Sequence, residues 1–99
     1  MKRDIVGIAG SLESSDVLAL VDLSVEGDEI IIQMDGPSVT CFGHAIKKTV
    51  LEIMDSLHIE RALVKVQERG ALDCTLRARV EAAARRALDK LRSEGGYVE

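Results

Sequence analysis

Three serine hydroxyls and two carboxylates crowd the segment Ala9-Gly10-Ser11-Leu12-Glu13-Ser14-Ser15-Asp16, which lies between two apolar runs. Such a stretch offers a serine that another enzyme could reach and modify. The same residues also suit a plain turn, because Ser and Asp side chains hydrogen-bond their own backbone. Taken alone, the segment favours the turn.

A second set could carry metal or nucleophile chemistry. Cys41, His44, His58 and Cys74 are the soft ligands of the chain, and Cys41 and His44 share a helix face at i and i+3. Four ligands are what a structural zinc takes, yet such sites draw on paired short spacings, whereas His58 and Cys74 fall far apart at the edges of different elements. Semi-buried thiols and solvated imidazoles are the simpler expectation. Cys41 with His44 also reads as a thiolate and base near a helix N-terminus. That pair would still need an oxyanion hole and a substrate pocket, for which a small core leaves little room. The arginines at 77, 79, 85 and 86 read first as the solvated face of a helix. Arg77 or Arg79 would be a phosphate or partner contact, since guanidinium grips phosphate oxygens in a bidentate fork.

These groups are positioned by two halves of different period. Residues 5–9 form a short apolar run, and residues 17–25 alternate, with Val17, Ala19, Val21, Leu23 and Val25 on one face. After Glu26-Gly27-Asp28, the run Ile30-Ile31-Ile32-Gln33-Met34 reads as the partner strand of a hairpin. From Ser38 the period becomes helical: Val39, Phe42, Ile46, Val50, Ile53 and Leu57 form a stripe, with Ser38 as N-cap and Thr40 as a second candidate. Residues 61–68 return to alternation. Asp73 is placed to cap a second helix whose stripe is Leu76, Val80, Ala83, Ala84, Ala87 and Leu91, ending at Gly95-Gly96. The order strand, strand, strand, helix, strand, helix predicts a two-layer α/β sandwich, one mixed sheet of about four strands with two helices on one face. Strands three and four are expected to run parallel through a right-handed crossover.

Ninety-nine residues bound the whole as a single domain, with a core over about 5–92 and a flexible tail over 93–99. With 46% apolar and 30% charged residues the chain is globular, and no apolar run approaches the roughly 20 residues that cross a bilayer. A net charge of -4 argues against a nucleic-acid module, and a single Tyr and a single Phe leave no base-stacking platform. The opening Met1-Lys2-Arg3-Asp4 and the short run after it do not make a signal-peptide core, so the cytoplasm is the expected compartment. There the two cysteines are expected as free thiols rather than a bridge.

Two ungapped motifs now meet. The segment Ala9-Gly10-Ser11-Leu12-Glu13-Ser14-Ser15-Asp16-Val17, followed by Gly70-Ala71-Leu72-Asp73-Cys74-Thr75-Leu76-Arg77-Ala78-Arg79-Val80-Glu81-Ala82-Ala83, closely resembles the acyl carrier (gamma) subunits of citrate lyase. Phe42-Gly43 fits as well, and the resemblance spans residues 5 to about 88. It implies that Ser14, the first serine of Glu-Ser-Ser-Asp, carries 2'-(5''-phosphoribosyl)-3'-dephospho-CoA through a phosphodiester, installed by a separate prosthetic-group transferase. It further implies an acetate ligase that charges the thiol, an alpha subunit that exchanges acetyl for citryl, and a beta subunit that cleaves citryl to oxaloacetate. The carrier itself breaks no bond, which suits a domain without a deep pocket.

The strand pattern after Ser14 separates the chain from ordinary helical acyl carriers, whose serine begins a helix. Glu13 and Asp16, flanking Ser14, are expected to repel the arm's phosphates and favour basic partner surfaces, or simply to solvate a turn. Carriers of malonate decarboxylase or citramalate lyase, and a cofactor-free interaction module, remain the competing readings.

Overall fold

The computed structural model describes residues 5–95. Its elements are β1 (Val6–Gly10), β2 (Val17–Asp22), β3 (Ile30–Asp35), α1 (Val39–Ser56), β4 (Ala62–Glu68) and α2 (Asp73–Gly95). The strands form one mixed sheet in the order β1-β2-β4-β3. β1 with β2 and β2 with β4 are antiparallel, while β3 runs parallel to β4 through α1. This is the expected α/β architecture and not a helical bundle.

Period two decides which strand residues enter the core. Val17, Ala19 and Val21 of β2 and Ala62, Val64 and Val66 of β4 are buried on the face that also receives Ile46, Val50 and Ile53 of α1 and Leu76, Val80, Ala83 and Ala87 of α2. On the opposite face, Ile8 and Ile31 are exposed. α2 lies close against the edge strand because both surfaces are small there. A Cβ on Gly7 would collide with the carbonyl oxygen of Ala83 and sit 2.5 Å from the amide of Ala87. Arg86 then reaches from α2 to donate to the carbonyl of Ile8.

The expected hairpin between the second and third strands does not form, because β4 occupies the place between them. β2 ends earlier than its alternation suggested. Asp22 Oδ1 accepts from Ser24 N at 2.8 Å and from Ser24 Oγ at 2.5 Å, a side-chain turn that competes with the ladder. The connection over 23–29 is then long enough to carry the chain past one strand position of about 4.8 Å to the far side of β4. β4, buried at every second residue, is a better central strand than β3, whose positions alternate only between half-buried and exposed.

The helix stripes are largely as expected, with three departures. Phe42 is 61% exposed and has non-helical backbone angles (φ -122°, ψ 16°), so α1 kinks there and turns the ring outward. Gly43, a poor helix former, follows directly. Met54 and Thr49 take buried positions the stripe did not include, and Leu91 is 38% exposed. Ser38 stands at the N-cap of α1 without a side-chain cap bond, and Asp73 is the first residue of α2. The helix reaches Gly95, into the expected tail; the rest of that tail and the opening Met1-Lys2-Arg3-Asp4 lie outside the described residues. No helix among the described residues is long and apolar enough to cross a membrane.

Candidate functional site

The serine-rich segment forms a loop, 11–16, between β1 and β2, and backbone bonds fix both of its ends. Ser11 N donates to Val17 O at 3.1 Å, Ser15 N to Arg69 O at 2.7 Å, and Arg69 N to Asp16 O at 2.9 Å. Within it, Asp16 N donates to Glu13 O at 3.0 Å, closing a turn over Ser14 and Ser15. Gly10 enters the loop with φ 98°, and a Cβ there would collide with the carbonyl of Val17, so glycine is required at this position.

Side chains add a second layer of ties. Asp16 Oδ2 accepts from Ser11 Oγ at 2.6 Å, Asp16 Oδ1 accepts from Val17 N at 2.7 Å, and Arg79 of α2 donates Nε to Oδ1 at 3.0 Å and Nη2 to Oδ2 at 3.3 Å. The Ser11 hydroxyl, then the Arg79 guanidinium and the Val17 amide, hold the Asp16 carboxyl at about 2, against 3.8 ordinarily. Arg79 is thus a clamp from the second motif onto the first.

The three serines are not equivalent in this setting. Ser11 is half-buried, and its oxygen both donates to Asp16 and accepts from Glu13 N at 3.2 Å. Ser14 and Ser15 are exposed, and Ser15 carries a left-handed φ of 65°. The Ser14 hydroxyl is in none of the bonds that tie the loop. Glu13 is exposed beside it.

Arg77 does not join this cluster; its Nε donates to Asp73 at 2.9 Å and its Nη2 to Glu52 of α1 at 3.0 Å. Arg85 pairs with Glu81 one turn away. The soft ligands stay apart as well. No grouping of His, Cys, Asp and Glu that could hold a metal ion occurs among the described residues. Cys41 and Cys74 are free and exposed rather than semi-buried, and His44 and His58 are exposed.

Sequence reasoning missed Glu68. It is buried at the end of β4, where Oε2 accepts from Ser38 N, and Oε1 from Gly70 N at 2.8 Å. Burial pushes its carboxyl upward, but the amides of Ser38, Gly70 and Ala71 and the Ser38 hydroxyl outweigh this and hold it below its usual value. One signal was available: Glu68 continues the inward parity of Ala62, Val64 and Val66. A carboxylate on that face must find donors.

Beside Glu68 opens a cavity of about 430 Å³, whose walls include Val17, Phe42, Ile46, Leu72 and Leu76. Phe42 and Leu72, 61% and 71% exposed, form its rim. Val17 and Gly70 also line it, so it lies at the same end of the sheet as the serine loop.

Known proteins are similar to this chain in sequence. Residues 6–87 match the family described as "ACP: Malonate decarboxylase delta subunit (MdcD)". The citrate lyase acyl carrier protein of Vibrio cholerae is 43% identical over 81 residues, 82% of each chain. That of Haemophilus influenzae is 44% identical over 91 residues, 92% of this chain and 93% of the other. Citrate lyase acyl carrier protein 2 of Salmonella typhimurium is 46% identical over 83 residues, 84% of each. No solved structure gives a significant match.

The chain therefore belongs to the acyl carrier family, whose members are carriers rather than catalysts. The relatives named above are citrate lyase acyl carrier proteins, as the two sequence motifs implied.

Proposed function

We propose that the chain is the acyl carrier subunit of a citrate lyase and that Ser14 is the attachment point of its prosthetic group. The observation that carries this reading is a serine exposed on a loop braced from both motifs, in a chain 43–46% identical to citrate lyase carriers.

The local structure fits a phosphodiester-linked 2'-(5''-phosphoribosyl)-3'-dephospho-CoA. The Ser14 hydroxyl is open to a modifying transferase, and Ser11 is engaged with Asp16. When bound, that group supplies a thiol on a long arm, able to carry acetyl and citryl as thioesters. The chain's own part is mechanical and electrostatic. The pair Asp16–Arg79 keeps the loop in place, while Glu13 stands exposed toward partners and favours basic surfaces on them. Arg77, at the start of α2, is the further contact for a partner carboxylate or phosphate. The partners are the alpha acyltransferase and beta lyase subunits, with the transferase and an acetate ligase upstream, in the cytoplasm.

Intact-mass measurement on protein from its native host tests the assignment. The expected result is a mass increased by the arm, lost in Ser14→Ala and retained in Ser15→Gly. An unmodified mass while the pathway is active, or loss of the arm in Ser15→Gly alone, would overturn it. The family's description keeps a malonate decarboxylase carrier as the second reading. Reconstitution separates the two: loaded protein should restore citrate cleavage with citrate lyase catalytic subunits and should not restore malonate decarboxylation.

A further inference from the structure

The cavity beside Glu68 is of the size of small-molecule sites, which run from roughly 300 to 1,000 Å³, and at about 430 Å³ it is apolar along most of its wall. Its position is set by the loop. Ser14 is three residues from Val17, no more than about 10 Å of extended chain, and Ser15 bonds to Arg69, the neighbour of Gly70 on the cavity wall. Anything tethered at Ser14 therefore samples this space at high effective concentration.

The polar groups on the wall are selective in sign. Glu68 and Asp73 both line the cavity, and both are held in their ionised form: Glu68 by amides that overcome its burial, Asp73 chiefly by Arg77. The Ser38 hydroxyl, whose proton is turned to Glu68, keeps its oxygen as an acceptor for an amide N–H. Apolar rim, hydroxyl and two negative charges together favour a neutral amide-and-thioester chain and disfavour an anionic one.

We propose that this cavity shelters the neutral end of the chain's own arm, as free thiol or acetyl thioester, and turns away a polycarboxylate acyl end such as citryl. The inference rests on the carrier reading above. It gives the carrier two presentations, an arm laid against Phe42 and Leu72 when its acyl group is neutral, and an arm released to solvent when the acyl group is charged.

The test uses the full unmodified chain, so it reads independently of whether Ser14 is loaded. Isotope-labelled protein is titrated with S-acetylpantetheine and, separately, S-succinylpantetheine, following backbone amide shifts. The acetyl probe should give saturable shifts centred on Phe42, Ala71 and Leu72, and millimolar affinity is sufficient because a tether supplies effective concentrations in the mM range. The succinyl probe should bind at least about fivefold more weakly, and Asp73→Asn should narrow that ratio. Leu72→Asp, at an exposed position, should abolish the shifts while leaving the amides of β2 and β4 unmoved. Absence of saturable shifts at the rim, or equal binding of the two probes, overturns the proposal. Failure of the carrier reading would show separately, in the intact mass.

Discussion

Asp16 accepts hydrogen bonds from Ser11, from the Val17 amide and from two nitrogens of Arg79, and its side chain is only 17% exposed. Those bonds are made to the carboxylate, so folding lowers its pKa to about 2. The stabilisation is complete above the ordinary value of 3.8 and is lost as pH falls through about 2. Thermal melts between those limits should drop more steeply for the natural chain than for Asp16→Asn, and a residual slope from Glu68 and Asp73 should remain in the variant. Glu13 is exposed, and its side chain makes no hydrogen bond among the described residues. Glu13→Gln should leave the melting temperature within about 1 °C, because surface changes away from caps and cores cost little, while reducing carrier turnover at low salt and not at high salt. Salt-independent, unchanged turnover would remove Glu13 from partner recognition. At this scale the sequence singled out Asp16 and Arg79 without showing that they touch, and it passed over the buried Glu68. The spacing of Asp16 and Arg79 carries no local period, and only the tertiary fold brings them within 3.0 Å.

Elements were more legible than their pairing. Apolar runs located β1 and β3, and alternation and helical stripes located β2, β4 and both helices, because burial leaves a trace in the sequence. Neighbour order leaves no such trace, so β4 entering between β2 and β3 was not readable, and the Asp22–Ser24 turn that ends β2 could be read only as polar residues. Phe42 fell on the stripe by spacing yet faces out, since backbone angles at a kink are not a property of period. The contact of β1 with α2 yields a sharp expectation. Gly7→Ala places a Cβ against the Ala83 carbonyl and should cost about 3 kcal/mol or more, read from the urea midpoint. Glu68→Ala strips acceptors from the amides of Ser38 and Gly70 and should cost about 2–4 kcal/mol, with the first turn of α1 losing amide-exchange protection before the sheet does.

The buried residues of both helices and the inner sheet face form one continuous cluster from Ala9 to Ala87. The radius of gyration, 13.2 Å, is that of a compact chain of this length. Unfolding should therefore be a single cooperative transition, with far-ultraviolet dichroism and side-chain probes giving coincident urea curves. Divergent midpoints would show that the helices and sheet are separable.

The double tie between Arg69 and the serine loop also governs distances far outside the domain. Backbone bonds of 2.7 and 2.9 Å join Ser15 and Asp16 to the strand end beside them, so the proposed attachment loop is tied to the sheet on the side that follows Ser14. For an arm rooted at Ser14, the working radius is then set by the length of the arm. On the proposed carrier role, the catalytic centres served in one cycle would have to open inside a single sphere drawn about that point, and their spacing would be a measurable property of the assembly.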